Sequence, residues 1–221
     1  RKMGIDKIAE VIKKENPDIV SLQEIERNTK INPWDTPKKL SELTGMRYYY
    51  FAHALDIRSG GDYGNVILSK YPISEEKSIK LNILRKDDYV RSFGYVKVTK
   101  EGKEFYFATA HLDHKYEDAL RLKQVDEILA CVEPLELPII LAGDLNSRRG
   151  SATMATFQKY FTVNCLSDGA PWTAPAPRPT YACDWLIYAP NDAFIVKAYN
   201  VCYWANEESD HYPVVATYVI K

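Results

Sequence analysis

A chain of 221 residues, 46% hydrophobic and 27% charged, has the composition of a globular domain large enough to bury a sizeable core. Its formal charge of -1 excludes a global attraction for nucleic acid or acidic membranes, leaving such roles to local basic patches. No apolar run approaches the roughly 18 residues needed to cross a bilayer. The four cysteines, Cys131, Cys165, Cys183 and Cys202, are scattered, with no Cys-x-x-Cys spacing of the kind that holds zinc. The chain opens abruptly at Arg1-Lys2-Met3 with no visible signal peptide, which leaves room for an upstream segment already removed.

In chain order, Ile5, Ile8, Ala9 and Ile12 sit at helical spacing and Asn16-Pro17 ends that helix. Asp18 to Leu22 reads as a short buried strand that ends on Gln23-Glu24. A second helix is predicted from Pro37 to Leu43, stopped at Gly45. Tyr48 to Ala54 is aromatic-rich and strand-like, and the glycine-rich Ser59 to Gly64 turns into a strand over Asn65 to Ser69. Arg91 to Thr99 and Glu104 to Leu112 form a predicted hairpin around Glu101-Gly102-Lys103. Leu122, Val125, Ile128, Leu129 and Val132 mark an amphipathic helix, followed by an apolar strand from Pro138 into Gly143-Asp144-Leu145-Asn146. A helix near Ser151 to Tyr160, a Pro-rich loop from Pro171 to Pro179, and strands at Trp185 to Tyr188, Phe194 to Tyr203 and Val214 to Ile220 complete the pattern. No repeat, low-complexity linker or composition break divides the chain, so a single domain over residues 1–221 is expected, with mixed sheets and outer helices.

The polar residues concentrate where strands end. Asp144 and Asn146, two positions apart, can point the same way from a strand's carboxyl end, where open α/β sheets place ligands. Gln23-Glu24, Asn65, His111-Leu112-Asp113 and Ser209-Asp210-His211 recur at other strand ends, and Asp184 opens a strand between Cys183 and Trp185. Each motif alone is compatible with an ordinary turn or a solvated strand end. Asp184 is more telling, because a carboxylate flanked by apolar residues needs a partner when buried. A serine-hydrolase reading of Ser209, Asp210 and His211 fails, since three consecutive residues cannot face one another as a relay and no Gly-x-Ser-x-Gly elbow is present.

The ordered set Leu22-Gln23-Glu24, Gly64-Asn65, Thr109-Ala110-His111-Leu112-Asp113, Gly143-Asp144-Leu145-Asn146, Asp184-Trp185-Leu186-Ile187 and Ser209-Asp210-His211 resembles the endonuclease/exonuclease/phosphatase superfamily. That superfamily is deoxyribonuclease I-like, and the His111-to-His114 run resembles a bacterial branch of it. The resemblance implies an α+β fold: a four-layer α/β/β/α sandwich of two packed mixed sheets with outer helices. It implies Mg²⁺- or Mn²⁺-dependent cleavage of a phosphate ester, with Glu24 and Asp210 at the metal. Asp144 would activate the attacking water, and His111, Asn146 and His211 would act on the phosphoryl group. Asp184 would hold the other ring proton of His211.

Asn65 and Arg91 are expected to line the pocket, with Arg91 a phosphate contact, and Arg148 and Trp172 to grip a phosphate and stack a ring or base. The expected partner is a phosphate-ester substrate: a nucleic acid, a phospholipid head group, or a sugar or inositol phosphate. A monomer is expected. Cellular location is left open, with a lean to export from the bacterial branch. One departure stands out, because the family begins with a strand carrying an asparagine near the metal and the first element here is a helix. The alternative to an enzyme is therefore a non-catalytic binding protein on the same scaffold.

Overall fold

The computed structural model describes residues 4–115, 117–163 and 171–221. Cys165 lies outside those residues, while Cys131, Cys183 and Cys202 are free thiols. Helix α1 (Ile5–Glu15) leads into β1 (Ile19–Arg27), α2 (Thr36–Thr44), β2 (Tyr48–Asp56) and β3 (Asp62–Ser69). Strands β4 (Ile73–Leu81), β5 (Arg91–Lys100) and β6 (Lys103–His111) follow, then α3 (Asp118–Val132), β7 (Ile139–Asp144) and α4 (Ala152–Phe157). The chain ends in β8 (Asp184–Ala189), β9 (Phe194–Val201) and β10 (Val214–Ile220). Gly45 takes the left-handed C-cap of α2 (φ 74°), the stop expected from the sequence, and Ser151 caps α4 by accepting from the Met154 N–H.

The sheets run β1-β3-β2, β10-β9 and β4-β5-β6-β7-β8. Period-two alternation sorts the five-stranded sheet into two faces. Phe93, Tyr95, Tyr106, Ala108, Leu141, Trp185 and Ile187 pack on one side with α3 and α4. Val96, Val98, Phe105, Phe107, Ile140, Ala142 and Tyr188 pack on the other, against Ile67 of β3 and Phe194 of β9. A third cluster joins Ile5, Ala9 and Ile12 of α1 and Leu40 of α2 to the outer residues Ile25, Val66 and Leu68 of β1 and β3. The result is the expected order of layers: helices, sheet, sheet, helices.

Strand β4 was not anticipated. Its sequence, Ile73 to Leu81, is mostly polar, carries no clean alternation and is largely exposed. It is an edge strand, bulged between Ser74 and Lys77 with Glu75 at φ 50°, and charge and bulge are how edges avoid pairing with other chains. No described strand precedes α1, in keeping with the departure noted in the sequence. Among the described residues β1 pairs only with β3 and β10 only with β9.

Gly143 is the position where the central pairing is tightest. It lies opposite Ala110 across the parallel β6–β7 ladder, and a Cβ there would sit 2.0 Å from the Ala110 carbonyl oxygen. The three nearest atoms all belong to the Ala110 backbone, which leaves no flexible side chain to give way. Gly143→Ala is expected to lower unfolding stability by about 1–3 kcal/mol, the cost typical of overpacking, measured by urea melts. A wild-type midpoint would show that the ladder spreads freely there.

Candidate active site

Three strands of the central sheet end in one polar row. Ladder register places His111 of β6 opposite Asp144 of β7, and Asp144 opposite Asp184 of β8. By alternation these three continue the rows of Phe105 and Phe107, Ile140 and Ala142, and Leu186 and Tyr188, so all three belong to the face between the sheets. The interior that is apolar along the strands becomes polar at their ends. A pocket of about 570 Å³ opens there, lined by Glu24, Tyr63, Arg91, His111, Asp144, Asn146, Tyr181 and His211 among others.

His111 is 3% exposed, and its Nδ1 lies 3.0 Å from Arg91 Nη1. A guanidinium only donates, so Nδ1 accepts and the proton of a neutral imidazole sits on Nε2. Nε2 lies 3.5 Å from Asp144 Oδ2. Burial, then the charge of Arg91, push the His111 pKa well below the ordinary histidine value, so the ring stays neutral. Arg91 also reaches Tyr63 Oη (3.2 Å), His114 Nδ1 (3.4 Å) and, more loosely, Glu24 Oε1 (3.9 Å).

His211 is the electrostatic opposite. Its Nδ1 lies 3.2 and 3.0 Å from the two carboxylate oxygens of Asp184. Burial works against its charge, but the hydrogen bond and charge of Asp184, joined by Asp144 and Asp210, outweigh it and raise the pKa to about 9. Nδ1–H is thus committed to Asp184, leaving Nε2–H as the donor for a ligand. Asp144 is itself raised to about 7, first by burial and then by the neighbouring Asp184 charge, while His211 and the Asn146 N–H oppose the rise. That backbone N–H donates to Asp144 Oδ1 at 2.8 Å. Beside the Asp184–His211 pair lies the buried thiol of Cys183, 3.3 Å from Asp184 Oδ2 and 3.7 Å from His211 Nδ1.

Glu24 reaches the pocket through an irregularity that its sequence did not announce. Val20 and Leu22 pack outward against the helices, and strict alternation would send Glu24 the same way. A bulge between Leu22 and Ile25, with Glu24 at φ 59°, turns Ile25 outward instead and frees Glu24 to line the pocket, its side chain 66% exposed. Asn146 is also left-handed (φ 45°), and its Nδ2 donates to the Leu112 carbonyl, which spends one of two amide donors. Strain of this kind gathers at functional sites.

Not every expected residue arrives. Asn65 is buried and away from the pocket wall: its Nδ2 donates to the Ser92 carbonyl and hydroxyl, tying β3 of one sheet to β5 of the other. Arg91 lines the pocket, with its Nη donors directed at His111, His114 and Tyr63 and its buried Nε without a hydrogen-bond partner among the described residues. Arg148 is exposed and lies over the ring of Tyr181 (4.8 Å), a pocket wall, which puts it at the rim. Trp172 is 54% exposed and outside the pocket, its carbonyl accepting from Tyr203 Oη. Asp210 is exposed beside His211, with its carbonyl held by the Ala176 N–H. Sequence reasoning missed Tyr63, Tyr181 and Cys183 as neighbours of the site; only Cys183, adjacent to Asp184, carried a signal.

This layered sandwich, with its polar row at the strand ends, is a deoxyribonuclease I-like fold. The family model described as Endonuclease/Exonuclease/phosphatase family matches residues 2–211, and the chain belongs to that family, whose members are hydrolases of phosphate esters. An endonuclease/exonuclease/phosphatase from Beutenbergia cavernae DSM 12333 superposes with a TM-score of 0.81 at 23% identity, covering 98% of this chain and 66% of that one. The mannosyl-6-phosphatase of Bacteroides thetaiotaomicron VPI-5482 gives 0.73 at 20% identity, covering 98% and 90%. Sphingomyelinase C 1 of Leptospira interrogans is 30% identical over 101 residues, 40% of this chain and 17% of that protein. At these identities the solved structures are shared fold alone.

The Arg91–His111 contact has a direct spectroscopic consequence. By nitrogen-15 NMR, His111 is expected to stay neutral, with its proton on Nε2, at pH values where an ordinary histidine is already charged. Arg91→Met should remove the tautomer preference. A His111 ring that charges at an ordinary pH in the wild type would overturn the assignment.

Proposed function

We propose that this chain is a divalent-cation-dependent hydrolase of phosphate esters, acting in the pocket where His111, Asp144, Asn146 and His211 meet Glu24. The observation that carries this reading is geometric: the ladder sets Asp144 between His111 and Asp184 at the pocket, and Asp184 holds the His211 ring at 3.0 Å, which leaves a buried carboxylate with raised pKa beside a carboxylate-held imidazolium. Environments that push neighbouring titratable groups apart separate a base from an acid.

The charge of the site supports a cation. Two carboxylates, Glu24 and Asp144, line the pocket and two more, Asp184 and Asp210, act on the His211 ring at its wall, against Arg91 and the charged His211, with His111 neutral. An anionic phosphate meets net repulsion there unless positive charge is added. Glu24 and Asp210 are the exposed carboxylates of the set and offer the hard oxygen ligands that Mg²⁺ or Mn²⁺ takes. A divalent cation held by them supplies neutralisation of the phosphoryl oxygens and of the oxygen that leaves.

The chain's own residues do the rest. Asp144 takes a proton from the attacking water, whose oxygen bonds to phosphorus as the ester P–O bond breaks. The Nε2–H groups of His111 and His211 and the second amide proton of Asn146 donate to the phosphoryl oxygens as charge builds on them. Asp184 keeps His211 charged and oriented, so the same Nε2–H can pass to the leaving oxygen. Leu55, Ile57, Tyr63, Tyr89 and Tyr181 give the pocket apolar walls, which suit the organic group attached to phosphate. Substrate class is decided by comparing p-nitrophenyl phosphate with bis-p-nitrophenyl phosphate, then sugar and inositol phosphates, sphingomyelin and DNA, each with Mg²⁺, Mn²⁺ or chelator.

Two variants test the roles. Asp144→Asn, with wild-type circular dichroism, should lower kcat roughly 100- to 10,000-fold, the range of a lost general base. Activity within about threefold of wild type, far short of that range, would exclude Asp144 as the base. Glu24→Gln should weaken Mg²⁺ or Mn²⁺ binding in titration calorimetry while leaving the melting temperature of the cation-free protein nearly unchanged. Unaltered cation affinity would remove Glu24 from the metal.

A further inference from the structure

Behind the His211 ring lies a donor set that the proposed reaction does not use as such. Asp144, Cys183, Asp184 and His211 each place one ligand atom within 4.8 Å of the others. Three of the six separations are shorter: Cys183 Sγ to Asp184 Oδ2 is 3.3 Å, Cys183 Sγ to His211 Nδ1 is 3.7 Å, and His211 Nδ1 to Asp184 Oδ2 is 3.0 Å, with Asp144 within the wider bound. Donors 2.0–2.3 Å from a tetrahedral zinc stand roughly 3.3–3.8 Å apart, so little movement closes the set around an ion.

The composition of the set chooses the ion. One thiol, one imidazole and two carboxylates form a mixed soft and hard tetrahedral shell, which suits Zn²⁺ and ill suits Mg²⁺, a cation that demands six oxygens. The elements are also held in place. Asp184 is fixed by the β7–β8 ladder, and the Cys183 N–H and thiol both meet the Thr173 hydroxyl. Asp144 and His211 line the pocket, which gives an ion its way in.

We propose that these four residues form an inhibitory Zn²⁺ site, distinct from the cation position at Glu24 and Asp210. Zn²⁺ enters as the thiol proton and the Nδ1 proton of His211 leave to solvent. Bound there, it separates His211 from Asp184 and occupies the carboxylate of Asp144. The regulatory consequence rests on the roles given to Asp144 and His211 above; the binding itself does not.

The experiment therefore reads binding and inhibition separately. Cd²⁺ is titrated into the protein in excess Mg²⁺, following the thiolate-to-cadmium charge-transfer band, and Zn²⁺ affinity is taken from chelator competition. One equivalent should bind with the band, Cys183→Ala should abolish the band, and both Cys183→Ala and His211→Ala should weaken Zn²⁺ at least about tenfold, the loss typical even of a group supporting a ligand. A band that persists in Cys183→Ala, or affinity unchanged in both variants, overturns the site. On an active preparation in excess Mg²⁺, Zn²⁺ should inhibit and a zinc-selective chelator, not further Mg²⁺, should restore turnover; relief by Mg²⁺ would place Zn²⁺ at Glu24 and overturn the inhibitory role. A protein that binds Cd²⁺ as described but cleaves no phosphate ester refutes the hydrolase reading and leaves the metal site standing.

Discussion

The register of three neighbouring strands is the constraint from which the site follows. Parallel pairing of β6 with β7 and antiparallel pairing of β7 with β8 bring His111, Asp144 and Asp184 into one row across the sheet. Strands in a sheet lie about 4.8 Å apart, so the side chains are forced into one another's fields whether or not charge favours it. A slip of one residue would send all three to the helical face. Gly143 keeps the ladder close at the last pair before Asp144, because any side chain there would strike the Ala110 carbonyl.

Two carboxylates side by side at the buried end of a sheet are unfavourable until something answers them. His211, arriving on the loop before β10, answers Asp184 with a charged ring and thereby moderates Asp144. Arg91, at the first residue of β5, answers on the other flank, but through His111 rather than against a carboxylate directly. The two histidines are chemically identical residues on either side of Asp144, and their partners drive them to opposite states. An acceptor makes His211 a cation; a donor makes His111 a neutral ring with a defined tautomer.

Much of this was legible in the order of residues. Apolar runs bounded by polar residues located β3, β6, β7 and β8, and the likeness of the ordered motifs to a known family pointed to the four layers. What escaped was whatever depends on backbone irregularity or on contacts distant in sequence. The bulge that brings Glu24 inward leaves no mark in Leu22-Gln23-Glu24-Ile25, and β4 hides because an edge strand needs no apolar alternation. Asn65 resembled a pocket residue, yet its partner is Ser92, on a strand of the opposite sheet that no local pattern pairs with it. Arg91 does line the pocket as expected, but the sequence does not reveal that three acceptors already meet its Nη groups.

The site divides mechanically along the same lines. His111, Asp144 and Asp184 belong to three adjoining strands of the five-stranded sheet, buried between α3 and α4 on one side and the second sheet on the other. Glu24 sits on a bulge in β1, and Asp210 and His211 sit on a loop; all three are more exposed than His111. Bulges and loops are where a backbone shifts at least cost. The groups proposed to move protons at the base are therefore held by a ladder, and those proposed to hold a cation are held by pliable segments. His211, joined to the rigid row through Asp184, is the point at which the two halves meet.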